Sequence, residues 1–185
     1  MMDIIKQISL IIGILTLSRV VNVMSKSQYP FCYLTTFSNS ITLFTMLTIL
    51  SNNIDKGLIS TASNIAFAMM TAFWFVFITR GKTSVYGKYN ASFYEIFTDH
   101  FIIPISIIIL SFILKSHSKF KKTIINTIIL EMIWLLYTII IGPAYPIFKN
   151  NDSTLNIKKL MVYFVLFNIL TFIFLYVCHF RKVNN

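Results

Sequence analysis

A threonine hydroxyl and a histidine imidazole can together transfer an acyl group. Thr35 and His100 are the pair in this chain whose placement allows it. Threonine is a weak nucleophile until a base takes its proton, and histidine is the usual base near neutral pH. The product is an acyl-threonine that water then hydrolyses. The developing oxyanion needs donors, for which Ser38, Asn39 and tyrosines such as Tyr145 are candidates. Thr36 follows directly, which leaves the register of the nucleophile open by one residue. Each residue also has a structural reading. Ser and Thr in apolar helices bond their own i−4 carbonyls. A histidine at a membrane boundary serves as an interface or helix-packing group. Arg19 can snorkel.

The elements that must position these groups are membrane spans. The chain is 56% hydrophobic and 12% charged, with a mean hydropathy of +0.75. A soluble domain carries about twice that charge. A helix crosses the hydrocarbon layer with roughly 20 mostly apolar residues. The apolar runs predict six spans near 4–24, 34–50, 58–79, 97–115, 123–144 and 159–179. Backbone polar groups in lipid must be bonded within the segment, which selects helices. Runs such as 102–114 show none of the alternation of a membrane β-barrel. The expected fold is an all-α bundle of about six transmembrane helices, forming a single domain over 1–185. The first run has no small-x-small cleavage site after it, so it reads as an uncleaved span.

The net charge of +10 is spread over short connectors, as in membrane proteins, and predicts no nucleic-acid partner. Lys115, Lys119, Lys121 and Lys122 crowd one connector, which places that connector and both termini in the cytosol. Cys32 and Cys178 then fall at opposite faces, too far apart for a disulfide. No metal-ligand spacing or cofactor motif is present, so no metal and no cofactor is expected.

Counting connectors brings the polar residues to one depth. Arg19 closes span 1, Thr35 to Ser40 open span 2, Asp99 and His100 open span 4, and Tyr145 and Pro146 follow span 5. All lie toward the same leaflet boundary and can share one pocket. There Arg19, with Ser38, Asn39 and Tyr145, is expected to contact an amphipathic substrate. Asp99 neighbours His100 on the helix and so points elsewhere. Glu131 sits near mid-membrane, below this pocket, where it can pair with a neighbouring span.

A set of landmarks follows in order: Tyr33-Leu34-Thr35, Phe73-Trp74, Tyr86, His100 with Pro104, then Trp134, Tyr137, Gly142 and Tyr145-Pro146-Ile147-Phe148. Their order and spacing over roughly 30–180 resemble the androgen-induced membrane protein family, which includes the androgen-dependent TFPI-regulating protein. A bacterial six-span family shares the Thr, His and Tyr-Pro landmarks. The resemblance implies a six-span threonine hydrolase of the endoplasmic reticulum or cell membrane. It would act on fatty acid esters of hydroxy fatty acids, with Thr35 as nucleophile and His100 as base. Its partners would be membrane lipids and the lipid-ester substrate. The alternative is a non-enzymatic multi-pass protein, a small carrier or a scaffold. No internal repeat supports a carrier.

Overall fold

The computed structural model describes residues 2–81, 91–116, 120–142 and 145–183. Six helices follow in order: α1 (Met2–Lys26), α2 (Leu34–Leu50), α3 (Lys56–Arg80), α4 (Phe93–Ile113), α5 (Phe120–Ile141) and α6 (Ile157–Val183). Among the described residues, the one extended pairing is an isolated bridge between Lys149 and Leu155. Five of the helices are long and apolar enough to cross a membrane, and the protein is a multi-pass helical membrane bundle. The 17-residue α2 rises only about 25 Å, short of the ~30 Å hydrocarbon layer. A 3₁₀ turn at Pro30–Cys32 precedes it.

Local chemistry sets the helix ends. Asp55 caps α3 by accepting from the backbone N–H groups of Gly57 and Leu58 at 2.7 and 3.2 Å. Lys122, at the start of α5, lies 3.0 Å from the Asp55 carboxylate, so these two helices begin at the same end of the bundle. Ser92 and Glu95 form a reciprocal capping box at the head of α4. That box moves the start of the fourth span from the expected 97 to Phe93. The fifth span was expected to reach 144, but Gly142 at φ 109° ends α5 after Ile141. Tyr86, Lys82, Lys88, Lys119 and Pro143 lie outside the described residues.

The centre of the bundle is α3, which packs against α2, α4, α5 and α6, while α1 packs chiefly on α2. Small residues are buried all round it, Ser60, Ala62, Ser63, Ala66 and Ala68, and let neighbours approach closely. Ile49, Ile59, Ile107 and Leu110 form the core at the Asp55 end. Ile11, Ile140 and Phe172 are exposed on the outer faces of the helices round α3, and Phe75 is exposed on α3 itself. In a membrane bundle these face lipid.

Candidate active site

Polar residues gather at the opposite end from Asp55. Thr35 lies in the first turn of α2, where backbone N–H groups have no helical acceptor. Its own N–H donates to the Tyr145 hydroxyl at 3.5 Å. Its Oγ1 is 3.4 Å from His100 Nδ1 and 3.5 Å from the Tyr145 hydroxyl. Both partners are enclosed, Thr35 at 9% and His100 at 3% exposure. Thr36 is also buried, one residue round the helix, and makes no such contact with the imidazole.

The orientation of His100 has a cause in the sequence. Pro104, four residues on, has no N–H to donate to the His100 carbonyl, and its ring crowds that carbonyl. The backbone widens there into a π turn, Thr98–Ile102, with Ile103 N–H reaching back to the Thr98 carbonyl. The freed His100 carbonyl accepts instead from the indole Nε1 of Trp74 at 2.9 Å. Phe73 stacks on the imidazole, ring centroids 3.3 Å apart and 5° from parallel. Met69 Sδ approaches Nδ1 at 3.4 Å. Three residues of α3 therefore fix the histidine from one side.

Two small chambers meet at Thr35 and Tyr145. One, about 70 Å³, is polar and is lined by Arg19, Asn39, Asp99, His100 and Glu95 among others. The other, about 80 Å³, is apolar and is lined by Leu34, Met69, Phe73, Trp134, Phe148 and Phe167 among others. The threonine hydroxyl thus sits where a polar compartment adjoins an apolar one. Burial pushes the Tyr145 phenol up to about 12, so it stays a donor through the neutral range. Among the described residues no three His, Cys, Asp or Glu side chains converge to hold a metal ion.

Each expected residue has a definite position. Arg19 reaches the polar chamber, but its guanidinium grips Asp99 with Nε and Nη2, both at 2.9 Å. It is also 3.5 Å from Glu95. Lys26 and Asn22 reach Glu95 at 3.3 and 2.9 Å. Among the described residues Arg19 is therefore a clamp between α1 and α4 and neither a snorkelling side chain nor an open anion receptor. Asn39 lines the polar chamber, and its Oδ1 has no partner among the described residues. Ser38 is buried, lines neither chamber, and has no partner for its Oγ among the described residues, so it is badly placed to bind an oxyanion. Glu131 is 1% exposed with both carboxylate oxygens unpartnered among the described residues, so the expected pairing with a neighbouring span is not made.

No protein-family model, curated protein or solved structure matches the chain. Sequence reasoning missed Met69 as a wall of the site and Glu95 as the second partner of Arg19. Phe73 and Trp74 stood out as landmarks, but their contacts with His100 depend on how α3 and α4 pack.

Proposed function

We propose that this protein is an intramembrane lipid-ester hydrolase, with Thr35 as nucleophile and His100 as general base. The observation that carries the reading is the 3.4 Å approach of Thr35 Oγ1 to His100 Nδ1 at the junction of a polar and an apolar chamber. A formed nucleophile–base bond measures about 2.6–3.2 Å, and such contacts are often looser before substrate tightens them. The substrate class is an ester of a fatty acid with a hydroxy fatty acid, in keeping with the family resemblance.

In the first step Thr35 Oγ1 attacks the ester carbonyl carbon and its proton passes to His100 Nδ1. The Tyr145 hydroxyl, 3.5 Å from Thr35 Oγ1, is the candidate donor to the oxyanion. Collapse breaks the ester C–O bond. His100 returns its proton to the departing alkoxide, which leaves as an alcohol. The acyl group remains on Thr35. Water then attacks that ester, His100 takes the water's proton, and collapse frees the carboxylic acid and restores the Thr35 hydroxyl. The clamp of Arg19 on Asp99 holds α1 against α4 beside this site.

Hydrolysis of a hydroxy-fatty-acid ester by purified protein tests the reading. A nucleophile and its base act as a unit, so Thr35→Ala, His100→Ala and the double variant should fall to a similar residual rate. Thr36→Ala should keep most turnover. A dead Thr36→Ala beside an active Thr35→Ala moves the nucleophile by one residue. Full turnover in both removes threonine as the nucleophile, and absence of hydrolysis by the parent protein transfers it to the carrier or scaffold reading. We also place the 115–122 connector and both termini in the cytosol, with the Thr35 end facing away. Labelling of a Lys115→Cys variant from the opposite side alone would reverse that orientation.

A further inference from the structure

The chambers at Thr35 hold only about 80 and 70 Å³. Sites that enclose a drug-sized ligand hold roughly 300–1,000 Å³. A lipid ester's chains must therefore extend past both chambers. Two larger grooves adjoin the apolar one. The first holds about 480 Å³ between α2 and α5, walled by Phe37, Ser40, Phe44, Leu130, Ile133 and Trp134 among others. The second holds about 460 Å³ between α5 and α6. Trp134 lines both the first groove and the apolar chamber, and Phe164 lines both the second groove and that chamber.

Position in the bundle separates the two. The first groove is apolar except for Ser40 and Tyr137, and the Ser40 hydroxyl is already satisfied by the Thr36 carbonyl at 2.8 Å. The second is lined by Asn64, Thr127 and Asn168, and Asn64 Oδ1 has no partner among the described residues. The first groove shares α2, the helix that carries Thr35, whereas the second runs between two helices that carry neither proposed reacting group. The first groove also opens outward. Phe44 and Ile133 on its rim are 59% and 50% exposed on the outside of the bundle, where the surroundings are lipid tails. From Leu130 to Tyr137 the α5 wall rises about 10 Å. Midway along it Trp134 lines both this groove and the apolar chamber that reaches Thr35.

We infer that the groove between α2 and α5 binds an acyl chain of a bilayer-dissolved lipid, and that this chain reaches Thr35 past Trp134. The inference rests on the lipid-ester reading for the identity of the molecule that carries the chain. Trp134 is then a wall that the chain touches, and it is also a reporter.

Bromine atoms quench indole fluorescence on contact. The probe is a hydroxy-fatty-acid ester with vicinal bromines in its acyl chain. It is added at trace level to nanodiscs of unbrominated phosphatidylcholine holding the Thr35→Ala protein, in which the proposed nucleophile is absent. The signal of Trp134 is the difference from Thr35→Ala/Trp134→Phe. Should that variant not fold, Trp74→Phe isolates Trp134 directly. The expected result is saturable loss of most Trp134 fluorescence, reversed by the unbrominated ester. Absence of quenching, or quenching that the competitor leaves untouched, overturns the groove. So does selective quenching of a tryptophan placed by Phe164→Trp, which would assign the chain to the α5–α6 groove. Lost quenching with intact hydrolysis by the Thr35 protein refutes the groove alone. Competable quenching without any hydrolysis refutes the hydrolase and keeps the chain site.

Discussion

Trp74 donates its indole N–H to the carbonyl oxygen of His100 at 2.9 Å, the acceptor that Pro104 deprives of its helical donor. One residue breaks the helical bond and another, on a different helix, replaces it. The consequence is that the backbone of the proposed base is tied to α3 as well as to its own helix.

Trp74→Phe keeps an aromatic ring and removes the donor. The His100 carbonyl then loses this donor in a buried setting, which costs about 1–3 kcal/mol. Turnover should fall with it, because the imidazole loses its anchor. Pro104→Ala should separate the two effects. It restores an N–H to α4 and lets the π turn relax to α-helix, so the melting temperature holds or rises while hydrolysis falls. Thermal melts and ester hydrolysis on both variants check this. An active Pro104→Ala enzyme would mean that the widened turn does not position His100.

The Arg19–Asp99 clamp is a buried bidentate pair joining α1 to α4. Removing one partner strands the other charge. Asp99→Ala should therefore cost about 3–5 kcal/mol. Arg19→Met with Asp99→Leu removes both charges and should recover most of that loss, since well-packed apolar replacements of buried pairs are often neutral or stabilising. Denaturation of the single and double variants in detergent reads the difference. Equal stability of Asp99→Ala and the parent protein would show that the pair holds nothing together.

Depth was legible in the sequence, and direction around each helix largely was not. Counting short connectors places Arg19, Thr35, His100 and Tyr145 at one boundary, because a span of fixed length leaves little freedom along the membrane normal. Azimuth depends on packing. Ser38 and Asn39 both looked available, yet only Asn39 lines the chamber. At 100° per residue, Asn39 lies about 40° from Thr35 and Ser38 about 60° the other way, so a small rotation decides between them. The earlier start of α4 was readable as Ser92-x-x-Glu95, a capping box at the edge of an apolar run. The clamp of Arg19 on Asp99 was not readable, because it needs the registry of two helices 80 residues apart in the chain.

Tyr145 links the proposed hydrolysis to a measurable pH effect. An unfolded phenol titrates near 10, and burial raises this one to about 12. Below about pH 10 both states are neutral and the phenol adds no pH dependence. Between about pH 10 and pH 12 the unfolded form ionises first, so stability falls as pH rises. Tyr145→Phe should remove that alkaline loss and, if the hydroxyl serves the oxyanion, lower turnover by about a hundredfold or more. Melts across the alkaline range and a rate measurement at neutral pH test the two roles separately. An unchanged rate would remove Tyr145 from the oxyanion site.

Glu131 supplies the sharpest contrast with the residues of the site. It is as buried as His100, but it lines neither chamber, and both its oxygens lack partners among the described residues. A buried carboxyl group without partners opposes folding whether or not it is ionised. Glu131→Met fills a similar volume without polar atoms, so it should raise stability by about 1–3 kcal/mol. Glu131→Gln keeps the polar burden and should gain less. Both variants should retain hydrolysis, since no step of the proposed reaction passes through this carboxylate. The measurement is a melt beside a rate for each variant, with size exclusion to confirm folding. A folded, inactive Glu131→Gln protein would place the carboxylate in the chemistry and require the site to be drawn across the full depth of α5.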